Sequence, residues 1–157
     1  MGRIYTVDIA ATAVTVAADV IELTPADDKP IIVHGFDILQ TTDVGDTAEE
    51  IIGLVWVRGH ATSGSGGTSG ITPRPVNPSD AAAGFTAESL NTTAASTGTG
   101  VNLQRHGWNI RMPLTMIYTP ETRPQASQAN TTLVLRMAAA PADSITISGS
   151  VTVEELG

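Results

Sequence analysis

The groups in this chain that could do chemistry are three histidines, one lysine, seven arginines and sixteen carboxylates, with no cysteine among them. His34, His60 and His106 stand far apart on different segments, whereas a zinc site usually draws two ligands from one short motif. His34 falls within an apolar strand pattern and reads as a hydrogen-bonded core histidine, while His60 and His106 flank turns. The densest carboxylate cluster is Asp43-Val44-Gly45-Asp46 with Glu49 and Glu50 close behind. Calcium favours several such oxygens around a glycine turn, but the spacing is not that of an EF-hand, and Asp-Gly turns also simply join strands. The nucleophile-elbow pattern Gly-x-Ser-x-Gly is absent. The Gly-rich run Thr62 to Gly70 lacks the lysine and the strand-to-helix setting of a phosphate-binding loop, since Lys29 is the only lysine and Ile71-Thr72-Pro73 follows it. A glycosidase pair would need a sugar platform, and two Trp and two Tyr are mostly required for a core. The expectation is no enzyme, no catalytic residue, no cofactor and no metal.

The elements that must position these groups are strands. From Trp108 to Tyr118 every even position is apolar (Trp108, Ile110, Met112, Leu114, Met116, Tyr118), which predicts one strand with one core face and an edge or bulge at Pro113. Ile145, Ile147, Val151 and Val153 define a second strand, and Thr131 to Met137 a third. Ile32, Phe36 and Ile38 share a face with His34 in a fourth. Residues 51–57 are apolar on both faces, as in a central strand or one whose outer face meets another subunit. Tyr5, Val7 and Ile9 give an N-terminal strand, Val14 to Val16 and Val20 to Leu23 two more, and Phe85 to Leu90 a last candidate. Flexible loops are expected near 61–80 and 91–100, with Thr72 to Pro78 stiff and extended. No composition break separates these segments, so residues 1–157 read as a single domain. The fold class is all-β: an antiparallel β-sandwich, jelly-roll-like, of about eight strands.

Composition narrows the partners. A net charge of −8 argues against non-specific nucleic-acid binding and against a polybasic membrane anchor. No apolar run reaches the roughly 20 residues of a membrane span. Residues Met1 to Thr6 fit the myristoylation pattern, and Asn91-Thr92-Thr93 and Asn130-Thr131-Thr132 fit the glycosylation sequon, as short patterns do by chance in a Thr-rich chain. Seven of the eight basic residues are arginine, which favours bidentate, weakly hydrated contacts. Arg3, Arg74, Arg105 and Arg123 lie in or beside the N-terminal arm and the loops, where each is either a contact to a neighbouring subunit or a solvated charge. Tyr5, in the same arm, joins them as a candidate subunit or shell contact.

Several segments together resemble structural proteins of tailed phages: Met1-Gly2-Arg3-Ile4-Tyr5, Asp43 to Glu50, Arg58-Gly59 through Gly67, Asp80-Ala81-Ala82-Ala83-Gly84, Asn91-Thr92-Thr93, Pro141-Ala142-Asp143-Ser144, and Ser148-Gly149-Ser150 with Glu154-Glu155. The likeness is to capsid decoration (cement) proteins and other head structural proteins, and it consists of small-residue motifs spread nearly end to end. It implies a small β-rich homotrimer on the outer surface of the virion capsid, with the major capsid protein and further copies of itself as partners. It carries no catalytic motif. The alternative is a host-attachment or carbohydrate-binding module of a head fibre or tail tip, with the Asp43 to Glu50 loop holding calcium for sugar recognition.

Overall fold

A computed structural model describes residues 2–41, 50–127 and 131–157. The strands are β1 (Arg3–Val14), β2 (Asp19–Thr24), β3 (Ile31–Gln40), β4 (Ile51–His60), β5 (Thr68–Ile71), β6 (Arg74–Pro75), β7 (Thr86–Asn91), β8 (Val101–Asn109), β9 (Leu114–Ile117), β10 (Gln125–Ala126), β11 (Thr132–Met137) and β12 (Ile145–Glu155). Every pairing is antiparallel. The first sheet contains β1-β12-β3-β9 and the second β2-β11-β4-β8. Along the chain these eight strands alternate between sheets except at β4 and β8, which are neighbours in one sheet. That is the strand order of an eight-stranded jelly roll. The other four strands are short additions. The connection from β4 to β8 carries β7 and β5, which extend the second sheet beyond β2, and β6, which pairs with β1 at Tyr5 and Thr6. The last, β10, pairs with β3 at Ile31 and Ile32.

The core is one continuous apolar layer between the sheets. Tyr5, Val7, Ile9, Ile38 and Val151 face it from the first sheet, and Ile21, Leu23, Leu54, Trp56 and Leu133 from the second. A strand must keep one parity to keep one face inside, and two bulges alter that parity here. In β1 the register jumps between Ile9 and Thr12, so Tyr5, Val7 and Ile9 point inward at odd positions and Val14 at an even one. In β3 the register jumps at the Thr152/Val153 pair, leaving His34 as the extra residue. Ile31 and Val33 are therefore core residues before the bulge, and Phe36 and Ile38 after it. This corrects the expected shared face: Ile32 and His34 lie on the outer side of the sheet, half-buried, and His34 is not a core histidine.

Two further expectations change. The pattern from Trp108 to Tyr118 is not one strand. β8 ends at Asn109, a turn follows, and β9 belongs to the opposite sheet. Asn109 accepts from the Met112 amide on its carbonyl (3.0 Å) and from the Arg111 amide on Oδ1 (3.1 Å), while Trp108 Nε1 donates to Met112 O (2.8 Å). Alternation persists because Trp108, Ile110 and Tyr118 face the same core from both sheets, whereas Met112 at the turn is exposed. Likewise β1 runs unbroken to Val14, and Val16 is an exposed turn residue rather than part of a separate strand. Residues 51–57 are indeed central, between β11 and β8. Their outer-facing Val55 and Val57 join Val134 and Ala95 in a small second apolar cluster, so this chain covers that face itself.

Candidate functional site

The predicted contact residues divide between two places. Arg74 pairs with Thr6 across β6 and β1, so its exposed side chain shares the outer face of the first sheet. Arg3 opens β1 and lines a cleft of about 360 Å³ with Gly2, Ile4, Val76, Asn77 and Asp80. An Asx-type turn shapes the far wall: Asn77 Oδ1 accepts from the Ser79 amide (3.1 Å), and its carbonyl accepts from the Asp80 amide (3.0 Å). Val76 is 61% exposed at the rim. Arg123 is half-buried and acts electrostatically on Glu154, on the same face. Arg105 stands apart, exposed on the outer face of the second sheet opposite Val55. Among the described residues, Arg3, Arg74 and Arg105 have no ion-pair partner.

Tyr5 is not a surface contact. It is fully buried, its ring meets Phe85 edge-on at 5.6 Å, and its hydroxyl donates to Ala81 O (2.9 Å). Odd parity in β1 sends it inward while Thr6 and Ile4 take the outer face. Its role is to tie the 81–85 segment to the core.

Beside the cleft lies an acid–base pair that the sequence pattern did not reveal. The bulge turns His34 outward, where Nε2 meets Glu154 Oε2 at 2.7 Å, and the Gly2 amide donates to Glu154 Oε1 (2.8 Å). Burial alone would raise the Glu154 carboxyl. The hydrogen bonds from His34 and Gly2, with the charges of His34 and Arg123, outweigh it and hold the group below its usual range. Next to this pair a cleft of about 200 Å³ opens over β3 and β9, with Asp37, Thr115 and Thr152 around the 83% exposed Ile117. Asp37 already accepts from the Ser150 hydroxyl at 2.5 Å.

A larger polar network lies on the second sheet. Arg136 donates to Asp19 through Nε (2.6 Å) and Nη2 (3.1 Å), and Asp19 also accepts from the Ala95 amide (2.6 Å). Glu22 accepts from the Ser63 hydroxyl (2.7 Å), the Gly64 amide (2.9 Å) and Asn91 Nδ2 (3.2 Å). Asp19 and Glu22 are almost wholly buried. The available signal was a charge set inside an apolar run, as Glu22 between Ile21 and Leu23 and Arg136 between Leu135 and Met137. In the core, Trp56 Nε1 donates to the Tyr118 hydroxyl (2.7 Å), which lies 2.9 Å from His106 Nε2. Burial lowers the His106 pKa, and it raises Tyr118 to about 12 against the opposing effect of the Trp56 hydrogen bond.

The three histidines thus occupy three separate settings, and no group of three metal-ligating side chains converges among the described residues. Asp43 to Glu49 lie outside the described residues. Glu50 uses both carboxylate oxygens to accept from the Ala142 amide at 3.0 Å.

No protein-family model matches the chain, and no curated protein matches it. Among solved structures, the chain is similar to one from the 2.6 Å structure of infectious bursal virus derived T=1 particles, at 14% identity and a TM-score of 0.23, covering 97% of this chain and 39% of that one. It is also similar to one from the crystal structure of the T13 IBDV viral particle, at 13% identity and a TM-score of 0.18, covering 99% and 39%. This chain spans about two-fifths of the length of those viral-particle chains. The assignment of the jelly roll rests on the strand order above.

Proposed function

We propose that this protein is a virion structural protein, a homotrimeric decoration protein that seats on the outside of a tailed-phage head and stabilises the shell. The observation that supports it best is the set of guanidinium groups with no acid partner among the described residues, Arg3, Arg74 and Arg105, on a chain of net charge −8. On an acidic surface, cations unclaimed from within are suited to the carboxylates of a partner. Arg3 lines the cleft with Val76 exposed at its rim, which joins charge to apolar area as interface patches do, and Arg74 lies across from Thr6 on the outer face of the same sheet. A cement protein binds the assembled shell and shifts the equilibrium toward it by mass action, and three linked copies multiply weak contacts. Nothing in that task requires an active site.

Light scattering after size exclusion tests the trimer, with a mass near three times 16.2 kDa expected. Co-sedimentation with undecorated heads tests the binding, and Arg3→Ala with Arg74→Ala is expected to abolish it without unfolding the chain. A monomer that ignores heads overturns the reading. The cleft around Asp37, Thr115, Thr152 and Ile117 favours the second reading, glycan attachment, which glycan-array binding lost in Asp37→Ala would support instead.

A further inference from the structure

Residues 61–66 and 92–98, the two arms of the β4–β8 connection, form a strap across the outer face of the second sheet. The arms are bridged to each other at Thr62/Ser96 and Ser65/Thr93 by paired backbone hydrogen bonds of 2.9 Å. Beneath them Ala95 covers Val55, Val57 and Val134. Little apolar area holds the strap, and its fastenings to the sheet are polar. We propose that this strap is an acid-released latch, with His60 as the group that lets go.

The two neighbours of His60 fix the hydrogen-bond roles of its ring. Its Nε2 lies 3.3 Å from Arg136 Nη1, and its Nδ1 lies 3.1 Å from Thr97 O. A guanidinium can only donate, so Nε2 must accept, and a carbonyl can only accept, so Nδ1 must donate. Both ring nitrogens are thereby assigned, and the imidazole is neutral in the closed state. A second proton would fall on Nε2 and set N–H against N–H and cation against cation. Arg136 cannot yield, because it keeps its proton and is held by the Asp19 fork and by Ala95 O (2.8 Å). The ring must therefore leave, and Thr97 loses its tether to the sheet.

Among the described residues, no carboxylate pairs with the ring. β11 presents Arg136, and β2 presents Asp19 on the far side of that guanidinium. The strap presents Thr97, the segment leading into β8 presents Gly100, and neither titrates. Arg58, the nearby cation of β4, donates to Gln125 O. Glu22 accepts from Ser63 and Gly64 of the 61–66 arm, and both Glu22 and Glu88 accept from Asn91 at the root of 92–98. Thr97 also has φ +54°, a left-handed conformation costly for a β-branched residue, and that strain favours opening once the tether is cut.

Hydrogen–deuterium exchange of the full chain at about pH 7.5 and about pH 5.5, corrected for intrinsic rates, tests the proposal. Peptides over 92–98 should lose protection about tenfold at the lower pH, while those of β11 and β12 hold theirs. His60→Gln can donate to Thr97 O and accept from Arg136 without titrating, so its strap should stay protected at both pH values. Equal acid-induced loss in both proteins, or none in the parent, overturns the proposal. If His60→Gln is already open near neutrality, histidine NMR on the parent decides. The Nδ1–H tautomer and a loss of protection that follows the ring's own titration midpoint support the latch, and either one's absence overturns it.

Discussion

Replacing Asp19 by alanine removes the anchor that the strap and the second sheet share. The side chain is fully buried, and its carboxylate serves three donors, two from Arg136 and one from the Ala95 amide. Breaking one partner of a buried pair costs about 3–5 kcal/mol. Arg136 retains 24% side-chain exposure, so water recovers part of that and the lower end applies. The Ala95 amide, left without an acceptor, adds about 1 kcal/mol, or nothing if the strap lifts to reach water. The total is about 3–4 kcal/mol. With a urea slope near 2 kcal/mol per molar, the unfolding midpoint should fall by about 1.5–2 M. The melting temperature should fall by about 10 °C. Intrinsic fluorescence reports the transition, because Trp56 and Trp108 are both buried. The double variant Asp19→Leu with Arg136→Met removes both charges and should cost well below the single change. A loss under about 1 kcal/mol for Asp19→Ala would refute the reasoning, since the pair would then behave as a solvated surface bridge.

The titrating groups give three further expectations. His106 has its folded pKa lowered from 6.5 by burial, so on acidification the unfolded chain takes up the proton first, and stability should fall as pH drops below 6.5. Glu154 is lowered from 4.5, so its contribution holds above that value and disappears as pH falls through the folded pKa, adding a second, more acid step. Urea midpoints measured down the pH scale should show both steps, with the upper one reduced in His106→Gln and the lower one in Glu154→Gln. Tyr118 keeps its proton to about 12 when folded against 10 when unfolded, so stability should also decline between those values, and Tyr118→Phe should flatten that limb.

Alternation alone located most of the sandwich, because a strand with one wet face must repeat every second residue. β12 and β11 follow it closely, with Ile145, Ile147, Val151 and Val153 buried on one side. It failed where the backbone changes course without changing composition. The bulges in β1 and β3 are choices of hydrogen-bond register, and no residue type marks them. His34 was therefore assigned to the wrong face, and its pairing with Glu154, 120 positions away, stayed hidden. The Trp108–Tyr118 segment misled for another reason: a core between two sheets accepts apolar side chains from either, so alternation does not tell which sheet a residue belongs to. Pro113 was the readable sign of interruption there. Among the candidate contact residues, Tyr5 shows that a neighbour in sequence takes the opposite face of a strand.

The strap was illegible for a physical reason that also bears on its role. Without it, the face carrying Val55, Val57, Val134, Asp19, Glu22 and Arg136 is an ordinary half-polar outer surface, with its charges in water. Folding residues 61–66 and 92–98 across that face buries the charges, and each must then be matched by a donor or acceptor. Beside the side-chain partners, the matches include strap backbone: the Gly64 and Ala95 amides and the Ala95 carbonyl. Backbone groups have no sequence signature, so Ser/Thr/Gly-rich composition looked like a free loop. Gly64 is the exception that shows in the geometry: a Cβ there would lie 2.6 Å from Thr93 O and 2.8 Å from Asn91 Nδ2, so the arm docks this closely only as glycine. The eight-stranded roll holds its own apolar core between the sheets, and the strap is attached to it almost wholly by polar contacts. That polar attachment is what makes the strap the proposed acid-released element, beside the titrating groups His106, Glu154 and Tyr118 of the roll itself.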